Sequence, residues 1–174
     1  KDEDFYNNLD KNRNLLCFTN GVYDLENDIF RDGMPEDYIS LCTNIPYMKY
    51  DPDNKQIQEV EEFFKQVQPE EDMYNYTLDF FASCLAGHTR DELFHIWTGS
   101  GSNGKSISIG MFQDGLGDYS TTISCTLLTN KRSASSAASP EMVKTKGKRF
   151  VVFQEPENDD KIHVGHMKEL TGND

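Results

Sequence analysis

The sequence predicts an α/β chain: part of a P-loop core built on a parallel sheet, preceded by a small β-meander and a helical hairpin. Three observations predict it. The apolar run Leu93-Phe94-His95-Ile96-Trp97 leads into Gly99-Ser100-Gly101-Ser102-Asn103-Gly104-Lys105-Ser106, a full match to G-x-x-x-x-G-K-[ST], and the stretch after it reads as a helix up to Gly115. Downstream, Phe150-Val151-Val152-Phe153 is a second apolar run, and it ends in Gln154-Glu155-Pro156-Glu157. Upstream, short apolar runs separated by turn residues give way to two segments with helical periodicity.

Taken in order, residues 1–14 are polar and are expected to be frayed or loosely docked. Leu15-Leu16-Cys17-Phe18 reads as a strand, Asn20-Gly21 as a tight turn, Val22 to Leu25 as the return strand and Ile29-Phe30 as a third. Tyr38 to Cys42 and Ile45 to Tyr50 are expected to add two further extended pieces. Asp51-Pro52 predicts a helix start, a capping carboxylate followed by proline at the first helical position. Ile57, Val60, Phe63, Phe64 and Val67 then fall on one face, and Pro69 marks the break. A second helix from about Glu71 to Ala86 should bury Met73, Thr77, Phe80, Phe81, Cys84 and Leu85, with Gly87 as its stop. After the P-loop helix, residues 115–118 read as a turn, Tyr119 to Ile123 as a strand, Ser133 to Ser139 as a loop, and Ser139-Pro140-Glu141 as the cap of a short helix ended by Gly147. The expected division is a β-rich accessory region over 1–50, a helical hairpin and connector over 51–92, and the start of the P-loop domain over 93–174.

Charge is unevenly placed. Residues 1–92 hold 21 acidic against 8 basic side chains, the whole of the net −13, whereas residues 93–174 hold 9 of each. That balance argues against a protein that coats nucleic acid through a broad basic surface. It leaves room for a narrow basic site, because Lys131, Arg132, Lys144, Lys146, Lys148 and Arg149 cluster around a single acid, Glu141. No apolar run approaches the roughly 20 residues that span a bilayer, and the opening KDED does not read as a secretory signal. Cys17, Cys42, Cys84 and Cys125 form no CxxC pair, so reduced thiols in a cytosol-like compartment are expected. His163-x-x-His166 has helical metal-ligand spacing but no cysteine or further histidine beside it.

The chemistry-bearing residues follow from the two apolar runs. Glycines at 99 and 104 permit backbone angles that turn the N–H groups of residues 99–106 inward around phosphates, at the positive end of the following helix. The Lys105 ammonium is placed to reach the β- and γ-phosphates of ATP, and the Ser106 hydroxyl to ligate Mg²⁺. A buried parallel strand over 150–153 would carry Glu155 to the sheet's carboxyl edge, where an acid holds Mg²⁺ or polarises the attacking water. Glu157 is either a second catalytic acid or an exposed loop residue. In the last stretch, Lys161, His166 and Lys168 are candidates for facing nucleic acid.

GSGSNGKS, KRFVVFQEPE and the terminal KELTGND, in this order and at these separations, resemble superfamily 3 helicases, in particular the primase–helicases of poxviruses and other large DNA viruses. Phage and plasmid replication ATPases are similar as well. The stretch from LLCFTNGVYDL to about Gly87 looks like the domain preceding the ATPase in that family. The resemblance implies an AAA+-type ATPase core, a hexameric ring of identical chains, and ATP-driven unwinding with single-stranded DNA in the ring channel. It carries Gly99, Gly104, Lys105 and Ser106 over as Walker A residues and Glu155 as the Walker B acid. Gln154 stands where many relatives have an acid, which leaves the metal-binding carboxylate open. Lys168 and LTGND match the start of a third motif whose loop lies toward the DNA channel. The resemblance also implies a sensor asparagine and an arginine finger after Asp174, a primase domain before Lys1 or as a partner, and residence in the cytoplasm or nucleus of an infected cell. Such a fragment alone would hydrolyse ATP weakly or not at all. Two other classes compete: a P-loop kinase, which would need a lid with several arginines, and a non-enzymatic ATP-binding assembly module.

Overall fold

Two sheets and the helices between them are seen in a computed structural model, which describes residues 5–88, 92–129, 140–153, 159 and 161–172, apart from the side chains of Pro140 and His166. After a one-turn helix α1 (Phe5–Asn8), strands β1 (Leu15–Phe18), β2 (Gly21–Asp24) and β3 (Ile29–Arg31) form an antiparallel meander in the order β1-β2-β3. The register pairs Leu16 with Tyr23 and Tyr23 with Phe30. The second turn is held by the Asp24 carboxylate, which accepts from the Asn27 side chain at 2.9 Å and from the main-chain N–H groups of Glu26 and Asn27. These bonds hold its carboxyl below the usual range, the Asn27 side chain contributing most.

The segments at 38–42 and 45–50 do not become strands. Residues 42–45 instead lie along the open edge of β1, where the Thr43 N–H donates to the Cys17 carbonyl at 2.9 Å and the Thr19 N–H to the Ile45 carbonyl at 3.0 Å. The leading residues are also better tied down than their polarity suggests. Asp10 N–H donates to the Tyr38 carbonyl, and its carboxylate takes the Ser40 N–H at 2.8 Å.

Helix α2 (Lys55–Val67) begins later than Asp51-Pro52 predicts, because that pair spends its polar groups on a turn. The Asp51 carboxylate accepts from the Asp53 N–H, and Asn54 caps the helix by accepting from the Gln56 N–H at 2.9 Å. Helix α3 (Glu71–Leu85) follows, and Gly87 at φ +61° ends it in the left-handed conformation. Of its expected inward residues, Met73 is 45% exposed, so the buried stripe narrows to Thr77, Phe81 and their partly buried neighbours. Val60 of α2 likewise lies outside the core.

Helix α4 (Lys105–Leu116) runs straight through Gly110 and Gly115, and the turn comes at Gly117 (φ +50°). Strand β4 (Ser120–Ile123) comes next, then two short helices that flank the undescribed 130–139: α5 (Thr126–Thr129), which the sequence did not announce, and α6 (Pro140–Thr145). Strand β5 (Phe150–Phe153) pairs in parallel with β4, and α7 (Val164–Thr171) closes the described chain. The Phe150–Phe153 run is therefore a parallel strand as expected. The Leu93–Trp97 run is not a strand. Phe94 sits by Phe153, ring centroids 6.0 Å apart, and Trp97 by Phe80 and Phe81, while Leu93 and Ile96 are 60% and 68% exposed. One face of the run packs and the other finds nothing to bury against among the described residues.

All three parts of the chain feed one core: Leu16 from the meander, Phe64 and Phe81 from α2 and α3, and Leu116, Tyr119 and Phe150 from the second half. Tyr119, 3% exposed, joins them by hydrogen bonds as well. Its hydroxyl accepts from the Cys17 N–H and donates to the Leu41 carbonyl, both at 3.0 Å. Burial pushes this phenol up to about 12, so it remains a neutral donor. Tyr119→Phe is expected to cost about 1–3 kcal/mol by leaving two inward main-chain groups unpaired. The measurement is urea unfolding, and a lower midpoint at unchanged slope is the expected result.

Candidate functional site

The loop from Gly99 to Gly104 departs from ordinary backbone geometry at three places. Gly101, Ser102 and Gly104 have φ of +91°, +47° and +80°. Left-handed residues set among right-handed ones turn successive N–H groups toward a common point, an arrangement suited to anions. Gly104 is the N-cap of α4, and the first turn of that helix contains no acidic residue to oppose an anion. Ser108, 1% exposed, locks this turn by donating its hydroxyl back to the Gly104 carbonyl at 3.1 Å.

Lys105 and Asn103 fold over the loop together. The ammonium donates to the Asn103 side-chain oxygen at 2.8 Å, and both groups lie above Gly99. A Cβ on Gly99 would come within 2.0 Å of the Asn103 amide nitrogen and 2.7 Å of the Lys105 ammonium. A Cβ on Gly104 would meet Val67 at 2.4 Å, which shows that the end of α2 forms the floor of the loop. Ser106, second residue of α4, keeps its side chain exposed. The motif's residue pattern signals Gly99, Gly104, Lys105 and Ser106; the Asn103 clasp and the Val67 floor have no such signal, since one lies at a variable position and the other is 37 residues upstream.

A triphosphate fits this donor set: open main-chain N–H groups, one ammonium, a helix start free of acids, and glycine where a side chain would fill the cradle. For Mg²⁺, Ser106 supplies one hydroxyl oxygen. Gln154, Glu155 and Glu157 lie outside the described residues. What is described is that Phe153, at the carboxyl end of β5, has its ring beside that of Phe94 on the chain entering the loop. In the same entering segment, His95 lies tilted against Phe80, ring centroids 4.1 Å apart, and shares a hydrogen bond with the Tyr76 hydroxyl at 3.2 Å; burial lowers its pKa.

The basic cluster is smaller than the sequence suggests. Lys148 donates inward to the Asp118 carbonyl. Arg149 donates to the carbonyls of Leu85 and Leu15, with its guanidinium 4.7 Å from the centre of the Tyr119 ring. Burial pushes the Arg149 pKa below its ordinary value. Lys144 and Lys146 remain exposed, as do Lys161 before α7 and Lys168 on it, while Lys131 and Arg132 fall outside the described residues and the side chain of His166 is not described. No helix among the described residues is long and apolar enough to cross a membrane.

Residues 3–69 match the family described as "D5 N terminal like". The matched stretch takes in α1, the meander and α2; the P-loop lies beyond it. Nearly the whole chain is also similar to proteins of large DNA viruses. It is 46% identical over 173 residues to a protein of Acanthamoeba polyphaga mimivirus named "Putative helicase", a match covering 99% of this chain and 18% of that protein. A protein of Invertebrate iridescent virus 6 with the same designation is 34% identical over 166 residues, covering 94% of this chain and 17% of its own length. A "Putative primase" of African swine fever virus is 24% identical over 169 residues, covering 95% and 18%. The chain thus spans under a fifth of the length of each of these three relatives. The kinship read from the P-loop, the second strand and the terminal motif is borne out by these matches.

Gly104→Ala is expected to lower stability through two separable effects: a left-handed residue bearing a Cβ, about 1–2 kcal/mol, and the contact with Val67. The double variant Gly104→Ala, Val67→Ala should regain the contact part, against the Val67→Ala single change, and none of the backbone part. Chemical denaturation of the four chains as a double-mutant cycle checks it.

Proposed function

We propose that this chain is the phosphate-gripping portion of an ATP-dependent DNA helicase module of a viral replicative primase–helicase, with an AAA+-type core. The observation that carries the reading is the loop itself: three left-handed residues, a helix start free of acids, and the Lys105 ammonium folded across Gly99. The names of the relatives, helicase in some and primase in others, support the class of protein to which such a site would belong.

On this reading the N–H groups of residues 99–106 and the Lys105 ammonium bind the β- and γ-phosphates of ATP, and Ser106 with Glu155 holds Mg²⁺. Bound ATP would supply the phosphoryl group, whose transfer to water drives the motor, and the metal ion the positive charge that offsets the phosphates. Lys105 has three donors, so it can keep one on Asn103 and give the others to phosphate oxygens. Glu155 orients or deprotonates the attacking water, and Glu157 is a second candidate for that role. Lys161, His166 and Lys168 face single-stranded DNA in the channel of a homo-oligomeric ring, a hexamer in the complete protein. The site is completed by segments outside this chain, so these 174 residues bind nucleotide weakly and turn it over poorly.

The test has two levels. In the isolated chain, Lys105→Ala is expected to weaken binding of a fluorescent ATP analogue by about ten- to a hundredfold, the equivalent of about 1.5–3 kcal/mol for one charge-assisted contact. In a chain extended to the length of its relatives, the same change should abolish DNA-stimulated ATP hydrolysis while sedimentation shows assembly intact. DNA-stimulated hydrolysis that survives Lys105→Ala would sink the proposal.

A further inference from the structure

None of the four cysteines is in a disulfide, yet two of them, Cys17 and Cys42, have been brought together from positions 25 residues apart. Cys17 is on β1, and the segment carrying Cys42 lies along the open edge of that strand. The Thr43 N–H donates to the Cys17 carbonyl at 2.9 Å, which sets the two chains at the spacing of neighbouring strands. Cys42 directly precedes Thr43, so the main chains of Cys17 and Cys42 run side by side, the placement from which a disulfide, with its Cα atoms about 4.4–6.8 Å apart, can close. Burial pushes the Cys17 thiol up to about 11, and the neighbouring Cys42 side chain adds to the shift. Cys17 also contacts the Phe18 carbonyl through sulfur at 3.5 Å, and the Asn44 N–H donates to the Cys42 sulfur at 3.3 Å. Both residues are half-buried, open enough for a small reagent.

The main chain at both positions is held. The Cys17 N–H donates to the Tyr119 hydroxyl. At Cys42 the N–H donates to the Asp118 carboxylate at 3.1 Å, and the carbonyl accepts from the Asp118 N–H at 2.9 Å. Closure therefore needs little more than rotation of two side chains. Of the remaining cysteines, Cys125 is buried, and Cys84 lies on α3, its thiol pushed up to about 11 by burial as that of Cys17 is.

We propose that Cys17 and Cys42 are a dithiol site that closes into an intrachain disulfide by exchange with a small disulfide such as glutathione disulfide. The inference is independent of the nucleotide site. The Cys42 thiolate attacks one sulfur of glutathione disulfide; that S–S bond breaks and one glutathione leaves as thiolate. The Cys17 thiol then loses its proton and attacks the Cys42 sulfur, expelling the second glutathione. Two protein thiols are oxidised, one glutathione disulfide is reduced to two glutathiones, and the two protons end on them. The order follows from the raised Cys17 thiol, a poor first nucleophile but a well-placed second one. The bridge would fasten the edge of β1 to the segment that grips Asp118, at the far end of the P-loop helix.

The test is to incubate the 174-residue chain with glutathione disulfide, block remaining thiols with an alkylating agent, and read intact mass and cross-linked peptides. The expected product has lost the mass of two hydrogens, links the Cys17 and Cys42 peptides, and leaves Cys84 and Cys125 to be alkylated after unfolding. Its thermal midpoint should lie roughly 5–10 °C above that of the reduced chain, from loop closure less some strain. Cys17→Ser should accumulate a stable glutathione adduct on Cys42. Cys42→Ser should react more slowly, at Cys17. Persistent glutathione adducts on both cysteines of the unsubstituted chain, a bridge to Cys84 or Cys125, or a native chain that stays fully reduced while the urea-unfolded chain oxidises would each overturn the proposal.

Discussion

The Tyr119 hydroxyl is the bond on which the arrangement of this chain depends. A phenol whose ring is buried in the core has room for one donor and one acceptor, and here both go to main chain of the first half: the N–H of Cys17 and the carbonyl of Leu41. The ring itself is covered by Arg149, whose guanidinium reaches the carbonyls of Leu15 and Leu85. Two side chains that flank β4 and β5 thus satisfy main-chain groups at β1, at the 41–45 segment and at the end of α3. Buried carbonyls left unpaired are costly. The meander, the hairpin and the parallel pair are consequently held in one relative placement, and the expected boundaries near 50 and 92 run through shared contacts.

This explains what was legible and what was not. The meander was readable because its causes are local: β1 at LLCF, Asn20-Gly21 between the strands, and an Asp24-centred second turn all act over a few residues. Helix α3 was readable because its face repeats at helical spacing. The strand expected at 93–97 was not formed, since strand formation requires a partner that the apolar pattern of LFHIW cannot specify; Phe94 and Trp97 found rings to pack on, and Leu93 and Ile96 did not. Helix α2 started late because Asp51 and Asn54 compete for the role of cap, and the nearer one won. Tyr119 and Arg149 gave no signal at all, because their partners lie 64 to 134 residues away. Within the candidate site the P-loop residues were legible from a motif, whereas Asn103 over Gly99 and Val67 under Gly104 are properties of the fold.

Charge reads differently once the side chains are placed. A run of six basic residues around 131–149 suggested a patch for an anionic partner. Arg149 and Lys148 are turned inward, each satisfying carbonyls, so their charge serves the joints of the fold. With the first half carrying the net −13, exposed cations such as Lys144, Lys146, Lys161 and Lys168 stand out against an acidic background. An anionic polymer would be repelled by most of this chain and accepted at few places.

The stretch that matches the family lacks the P-loop motif, yet it is packed against it. Helix α4, twelve residues and so about 18 Å long, is held at both ends by residues of that 3–69 stretch. At its start, Val67 lies so close to Gly104 that a Cβ there would collide with it at 2.4 Å. At its finish, Gly117 approaches the Thr43 carbonyl so closely that a Cβ would come within 2.3 Å, and Asp118 is bonded to Cys42 and Asn44. Glycine is required at both places, each with a positive φ, because main chain or a stiff β-branched side chain occupies the space. A helix whose N-terminus presents N–H groups to an anion is useful only if that end does not move when the anion binds. Fixing α4 between two contacts at opposite ends resists sliding along its axis as well as tilting, and a single contact could not resist both. On the function proposed above, the 3–69 stretch therefore acts on the loop mechanically: it would supply none of the phosphate-facing groups, and it sets where they point.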